Sequence, residues 1–360
     1  MRYVSALQAG LFLCFVIAMS VFAALNMRTF DLPAGTRLVD GNRAKVFEAQ
    51  FDAKFPAKKL GVNLWAAVDY VLFREGKPGV VLGRRGWLYT DEEFVVAEGY
   101  ERHIRDNLKL IESIHQELTK QGVALVVAIV PAKARVYSEF LTSRTPAEPQ
   151  LRLHARLLEA LTRGRIPTAD LFAPLQQGKI LQPTYLRADT HWTPWGAKLA
   201  AARTAQVVRE SAPATTSASR FITHREATRT HRGDLVNFLP LDPYFAALLP
   251  QPESVDVMKT AALAEGAHLQ STSTNNADLF GDATVPTLAL VGTSYSANAL
   301  WNFAGYLRES LGEDIANYSR QGKGPFVPML SYLRSEDFRR QRPRLIIWEI
   351  PERSLVSPAS

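Results

Sequence analysis

Cysteine is nearly absent. The 360 residues contain one, Cys14, and it lies inside an apolar N-terminal run, so the rest of the chain carries no thiol. Internal disulfides, a cysteine nucleophile and cysteine-ligated zinc are thereby excluded. The chain also lacks an H-E-x-x-H pair, a second apolar run of spanning length, an internal repeat and a heptad pattern. Acidic residues are the minority among charges, 35 against 42 basic, giving a formal net charge of +7. Such a surface attracts polyanions: nucleic acid, anionic lipid or an acidic polysaccharide. At 47% apolar and 21% charged residues the composition is that of an ordinary globular protein, and the length suits one large α/β domain with appendages.

The apolar run is "ALQAGLFLCFVIAMSVFAAL", residues 6–25, with no charged side chain between Arg2 and Arg28. At helical rise it matches a hydrocarbon core of ~30 Å, which predicts an uncleaved N-terminal membrane anchor over residues 1–27. A cleaved signal peptide is the competing reading, because Val21–Ala23 supplies small residues for a peptidase. Either way the remainder is expected to be exported. Nucleic acid is then not an expected partner, and the basic charge points to an acidic polymer or the membrane surface.

Residues 28–98, with their Gly and Pro punctuation, read as a peripheral lead-in, and 99–354 as the main domain. Ile104, Leu108, Ile111, Ile114 and Leu118 recur at helical spacing before Gly122. "VALVVAIVP", "IPTADLF", "VPTLALVG", "DIANYSR" and "PRLIIWEIPER" read as strands. Helices are expected over "PQLRLHARLLEALTRG", from about 194 to 210, over "SANALWNFAGYLRESLG" and over "FVPMLSYLRSEDFRRQ". Strands alternating with helices predict a parallel sheet covered on both faces. Residues 211–285, with Ser/Thr-rich patches at 211–219 and 271–276, read as loops and insertions.

Two segments carry chemistry. In "LALVGTSYS" a buried strand runs through Gly292-Thr293-Ser294 into a helix start, the setting of a nucleophile on a sharp strand-to-helix turn. In "YLRADTHWTPWGAKLAA" Asp189 and His191 stand two apart just before a helix whose N-cap is Thr193 and whose first residue is Pro194. A serine needs a base, and the base needs an acid that sets its tautomer; Ser294, His191 and Asp189 supply the three roles. Each segment also has a plainer reading, with Ser294 or Ser296 as a helix cap and Asp189 as a turn cap. Lys133 follows a buried strand at its carboxyl end and is either an acidic-substrate contact or a solvated lysine. Trp192 could stack on a sugar ring or fill core, whereas Trp195 reads as core. Glu349 and Arg353 are expected to pair and brace the site. His224 and His231, seven apart, would share a helical face near Asp234, and with His191 they offer an outside reading as a metal site. No cofactor is required.

The blocks "GRRGWLYT", "VPAKARVY", "RADTHWTPWGAKLAA", "VGTSYS" and "IIWEIPER" resemble the AlgX/AlgJ family of polysaccharide O-acetyltransferases over residues 83–353. The resemblance implies an SGNH hydrolase-like, flavodoxin-like three-layer α/β fold. It is circularly permuted, since Asp189 and His191 precede Ser294. It further implies an oxyanion donor at Gly322 or Gly324, on the turn after "DIANYS", and leaves Glu349 where SGNH enzymes usually keep an asparagine. The implied activity is transfer of acetyl through acetyl-Ser294 to hydroxyls of an exopolysaccharide such as alginate. The implied partners are a multispanning membrane-bound acetyl-donor protein and other polysaccharide assembly proteins, at the periplasmic face of the inner membrane. An acetyl-esterase on the same triad and a non-catalytic polysaccharide-binding assembly subunit are the alternatives.

Overall fold

The computed structural model describes residues 2–26, 41–54, 56–212, 220–263 and 286–359. They fall into two compact units, residues 1–76 with 239–249, and residues 77–238 with 250–360.

The first unit holds α1 (Arg2–Asn26), α2 (Asn42–Lys54), α3 (Pro56–Val68) and a π-helical turn, Asp69–Phe73. Asn63 Nδ2 donates to the Pro240 carbonyl at 2.6 Å, tying α3 to the 239–249 segment of the same unit. Among the described side chains of α1, Leu11, Phe12, Leu13 and Phe15 are exposed. Among the described residues no helix is long and apolar enough to cross a membrane. The anchor expected over residues 1–27 is therefore without structural support.

The second unit begins with a short hairpin, β1 (Val80–Leu82) and β2 (Leu88–Thr90), so residues 77–98 of the expected lead-in belong to it. There follow α4 (Tyr100–Lys120), β3 (Ala124–Val130), α5 (Lys133–Val136), α6 (Glu148–Arg163), β4 (Thr168–Asp170), α7 (Phe172–Gly178) and α8 (Pro194–Ser211). Next come β5 (Phe221–His231), β6 (Glu253–Ala262), β7 (Leu288–Val291), α9 (Ser294–Ala297), α10 (Phe303–Leu311), β8 (Ile315–Asn317), α11 (Phe326–Leu333), α12 (Glu336–Arg340) and β9 (Leu345–Pro351).

The central sheet is five-stranded and wholly parallel, in the order β4-β3-β9-β7-β8. Counted from β7 as first strand, this is the doubly wound order 2-1-3-4-5. The natural first strand thus sits third in the chain, which is the expected circular permutation. The topological switch point lies between β7 and β9, where open α/β sheets bind ligands at their carboxyl ends.

The strands read as continuous apolar runs because both faces are covered. Val126, Ala128, Leu288, Leu290, Leu345 and Ile347 pack with α8 and α10 on one face. Leu125, Val127, Ala289, Val291, Ile346 and Trp348 pack with α4, α6 and α11 on the other. Period-two alternation thus assigns each strand residue to one of two cores. On α8 the buried residues Ala197, Ala200, Ala201 and Ala205 keep the contact with the sheet close. Its start is the expected one: Thr193 Oγ1 accepts the Gly196 N–H at 3.1 Å, with Pro194 next.

Three expectations are corrected. Residues 211–285 do not consist only of loops: β5 and β6 form a long antiparallel ribbon with a bulge between Arg225 and Ala227. Its polar alternation offers no apolar stripe, which hid it. The helix expected over 296–312 is broken, since Asn302 adopts a left-handed φ of 53° between α9 and α10. The last expected helix divides at Ser335, whose Oγ accepts the Phe338 N–H and caps α12. The patch at 271–276, and that at 211–219 beyond residue 212, lie outside the described residues.

Candidate active site

The acid–base loop is built by a turn of its own. It follows α7 rather than a strand, and Tyr185 and Trp192 close it with an antiparallel bridge. Leu186 N–H donates to the His191 carbonyl at 3.2 Å, and Thr193 N–H to the Thr184 carbonyl at 3.0 Å. Gly233 must be glycine, because its φ is +87° and a Cβ there would strike the Ala188 carbonyl oxygen. That close approach lets the turn after β5 pack onto the loop, where Leu235 N–H donates to the Ala188 carbonyl at 3.2 Å.

The nucleophile turn leaves β7 at the switch point. Glu349 of β9 lies beneath it, fully buried, and accepts from the Thr293 N–H at 2.7 Å, the Thr293 hydroxyl and the Ser296 hydroxyl at 3.0 Å. Gly292 has to be glycine here too, since a Cβ would collide with Glu349 Oε2. Burial pushes the Glu349 carboxyl above its ordinary value, against the hydrogen bond from the Thr293 N–H. Ser294 is the first residue of α9, where the helix provides no intrahelical acceptor for its N–H.

These two segments meet. His191 Nε2 stands 2.7 Å from Ser294 Oγ, and His191 Nδ1 stands 2.6 Å from Asp189 Oδ1. Burial would push the Asp189 carboxyl up, but hydrogen bonds from His191 and His231 outweigh it and hold the group below the usual carboxylate range. An ionised carboxylate only accepts, so Nδ1 carries the proton and Nε2 is left to accept from the Ser294 hydroxyl. That is the tautomer a general base requires.

Asp189 is also bound from its other side. His231 Nε2 donates to Oδ2 at 2.7 Å and the Asp234 N–H donates to the same oxygen at 2.9 Å. Asp234 accepts the Thr190 N–H at 2.8 Å and the Thr190 hydroxyl. Trp301 covers His191 at 5.3 Å between ring centres and 21° between planes, and meets His231 edge-on at 5.6 Å. The break before α10 is what brings Trp301 there. Asp189, His191 and Asp234 place acceptor atoms within 4.8 Å of one another, close enough for a cation. Both Asp189 oxygens are engaged by imidazoles, however, so the cluster is wired as a hydrogen-bond network.

Several assignments from the sequence change. Lys133 is neither solvated nor open to substrate. It is buried, and its ammonium donates to the carbonyls of Leu88 at 2.6 Å, Arg187 at 2.8 Å and Asp189 at 2.8 Å. Trp87 and Tyr89 lie against it at 5.0 and 5.4 Å, and burial pulls it down to about 8 against the attraction of Glu93 and Asp189. Trp192 is wholly buried against Tyr295 and Phe303, with no face for a sugar. Trp195 is partly buried and donates to the Gly178 carbonyl at 3.2 Å. Glu349 and Arg353 do not bond each other: Glu349 holds the nucleophile turn, while Arg353 binds Glu92 at 3.0 Å and the Tyr295 hydroxyl at 3.1 Å. His224 and His231 lie on the strand β5, not a helix. His224 is exposed opposite Lys259, and His231 alone reaches the site. Gly322 and Gly324 both adopt left-handed φ, +68° and +60°, on an exposed turn. That turn leaves β8 where Arg320 N–H donates to the Gly292 carbonyl at 3.1 Å. The grouping of His231 and Asp234 with His191 holds, as a hydrogen-bond network rather than the outside metal-site reading, whereas the contacts of Tyr295 and Trp301 with His191 carry no spacing signal in the sequence.

The family described as "SGNH hydrolase-like domain, acetyltransferase AlgX" matches residues 80–352. A protein of Pseudomonas fluorescens named "Probable alginate O-acetylase AlgJ" is 44% identical over 98% of this chain and 88% of its own length. Its namesake from Pseudomonas aeruginosa is 46% identical over 91% of this chain and 83% of its own. The O-acetyltransferase domain of Pseudomonas putida AlgJ superposes with a TM-score of 0.70 at 41% identity, covering 78% of this chain and 93% of that one. With His191 set against Ser294 at the switch point of a permuted parallel sheet, and matches of this extent, the chain belongs to the SGNH hydrolase-like acetyltransferases of the AlgX and AlgJ type.

Proposed function

We propose that the protein moves acetyl groups through an acetyl-Ser294 intermediate onto hydroxyls of an exopolysaccharide, with alginate as the acceptor. One observation carries the chemistry: the 2.7 Å approach of His191 Nε2 to Ser294 Oγ, with Asp189 on the opposite ring nitrogen at 2.6 Å. The relatives named as alginate O-acetylases supply the acceptor. Ser294 Oγ attacks the donor's acetyl carbonyl carbon while Nε2 takes the hydroxyl proton, and the donor leaves with that proton. A sugar hydroxyl then attacks acetyl-Ser294; its proton passes to Nε2 and on to Ser294 Oγ as the ester bond to the enzyme breaks. Through both steps Asp189 stabilises the imidazolium. The Ser294 N–H and a glycine N–H of the turn holding Gly322 and Gly324 serve as oxyanion donors.

The same reading has the catalytic domain in the periplasm, anchored in the inner membrane through residues 1–27. Supporting it is the uncharged run at 6–25 between Arg2 and Arg28. Acetyl groups then have to come from the cytosol through a multispanning membrane partner, alongside other polysaccharide assembly proteins.

The test is intact mass of the full-length protein in detergent after incubation with p-nitrophenyl acetate, for wild type and Ser294→Ala. An acetyl adduct on wild type alone, mapped to Ser294, is expected. Addition of mannuronate oligomers is expected to discharge it onto the oligomer. Discharge to free acetate only would make the protein an esterase, and an equal adduct on both proteins would remove Ser294 from the chemistry.

A further inference from the structure

We propose that His231 is a positioning residue of the acetyl-transfer site, holding the second oxygen of Asp189 and balancing its charge against His191. The inference rests on the triad reading above and deepens it.

Asp189 lies between two imidazoles, His191 Nδ1 on Oδ1 at 2.6 Å and His231 Nε2 on Oδ2 at 2.7 Å. Two backbone N–H groups complete its shell, His191 on Oδ1 and Asp234 on Oδ2, each at 2.9 Å. Among the described residues His231 is the only ionisable donor on Oδ2. It reaches there from the carboxyl end of β5, a ribbon outside the central sheet, in register with Glu253 of β6. Its side chain keeps 26% of its surface exposed and forms one wall of a cleft of about 640 Å³ that also touches Arg229, Lys259, Asn298 and Asn302. A brace for the fold alone would need no ionisable ring at a cleft wall.

The geometry has an electrostatic consequence. Asp189, Asp234 and Glu253 attract the His231 imidazole, Glu226, Arg229 and Lys259 line the same cleft, and the Lys133 ammonium lies behind the Asp189 carbonyl. The bond to Asp189 lifts the His231 imidazole above its ordinary value, burial opposing. Two carboxylates face the base, Asp189 Oδ1 at 2.6 Å and Asp234 Oδ2 at 3.6 Å from His191 Nδ1. A protonated His231 offsets part of that negative charge, and removing the second imidazole leaves it uncompensated beside His191.

The experiment is steady-state cleavage of p-nitrophenyl acetate by the full-length protein from pH 5 to 9, for wild type, Ser294→Ala, His231→Gln and His231→Ala. His231→Ala is expected to lose kcat by roughly 30-fold with KM nearly unchanged, as Asp189 loses a charged hydrogen bond. The Gln amide can reach Oδ2, so His231→Gln recovers most of kcat above neutrality. Its acid limb in kcat/KM moves up by about one pH unit. A His231→Gln limb that coincides with wild type overturns the proposal, as does equal loss in the two His231 variants. Should His231→Ala fail to fold, the limb of His231→Gln decides alone. Wild-type turnover no greater than that of Ser294→Ala would instead sink the triad reading and this inference with it.

Discussion

The Tyr295 hydroxyl donates to the Thr190 carbonyl at 2.6 Å, so the residue after the nucleophile is bonded to the residue between acid and base. Arg353 orients that phenol at 3.1 Å and lies over its ring. The two halves of the proposed triad come from segments about a hundred residues apart, and this bond joins them directly. Tyr295→Phe should therefore cost about 1 kcal/mol of stability and roughly tenfold in kcat with little change in KM. Thermal melts and p-nitrophenyl acetate kinetics check both.

Gly292 and Glu349 make a second paired prediction. Gly292→Ala drives a methyl into the buried carboxyl that holds Thr293 and Ser296. A loss of about 2 kcal/mol is expected from overpacking, with acetylation of Ser294 falling in parallel. Chemical denaturation at fixed pH measures it; an unchanged midpoint would mean the turn has slack.

Lys133→Met tests the claim that a buried ammonium shapes the acid–base loop. The change removes the ammonium from the carbonyls of Leu88, Arg187 and Asp189, of which Arg187 keeps the Leu88 N–H at 2.8 Å. A loss of about 3 kcal/mol is expected, together with a larger fall in kcat than in stability-matched core variants, because Asp189 is displaced. Equal activity at full folding would count against it.

A pH effect on stability should come from His154, away from the triad. His154 is buried between Glu352 at 2.7 Å and Asp170 at 2.9 Å. Burial would lower its pKa, but the hydrogen bonds it donates to these carboxylates prevail and raise it to about 9. A raised imidazole contributes stability that is fully present below pH 6.5 and lost as pH climbs through about 9. The loss between those limits should be up to about 3 kcal/mol, read from urea unfolding at pH 6, 7.5 and 9.5. In His154→Gln that part of the slope should be lost.

Much of the scaffold was legible along the chain. β3, β7 and β9 announce themselves as apolar runs because both faces of a parallel sheet are dry, and α8 through Thr193 and Pro194, whose capping chemistry is local. Ser294, His191 and Asp189 were legible because a nucleophile turn and an acid–base pair are each written within a few residues. The ribbon β5–β6 was not, since it shows polar residues on both faces and its pairs lie between His231↔Glu253 and Phe221↔Ala262, far apart along the chain. Lys133 misled because a charged residue at a strand end is usually wet; here three carbonyls from two other segments close over it.

The division has a physical basis. Local sequence determined which segments become strands and helices, where the sharp turn falls and which residue types can carry acyl transfer. Periodicity, capping and turn chemistry act over a few residues. Only the tertiary structure decided that Ser294 meets His191, that Glu349 lies under the nucleophile turn rather than beside Arg353, and that Asp189 is shared with His231. Those contacts join residues 42 to 103 positions apart. They depend on strand order and loop packing, which no short-range pattern encodes.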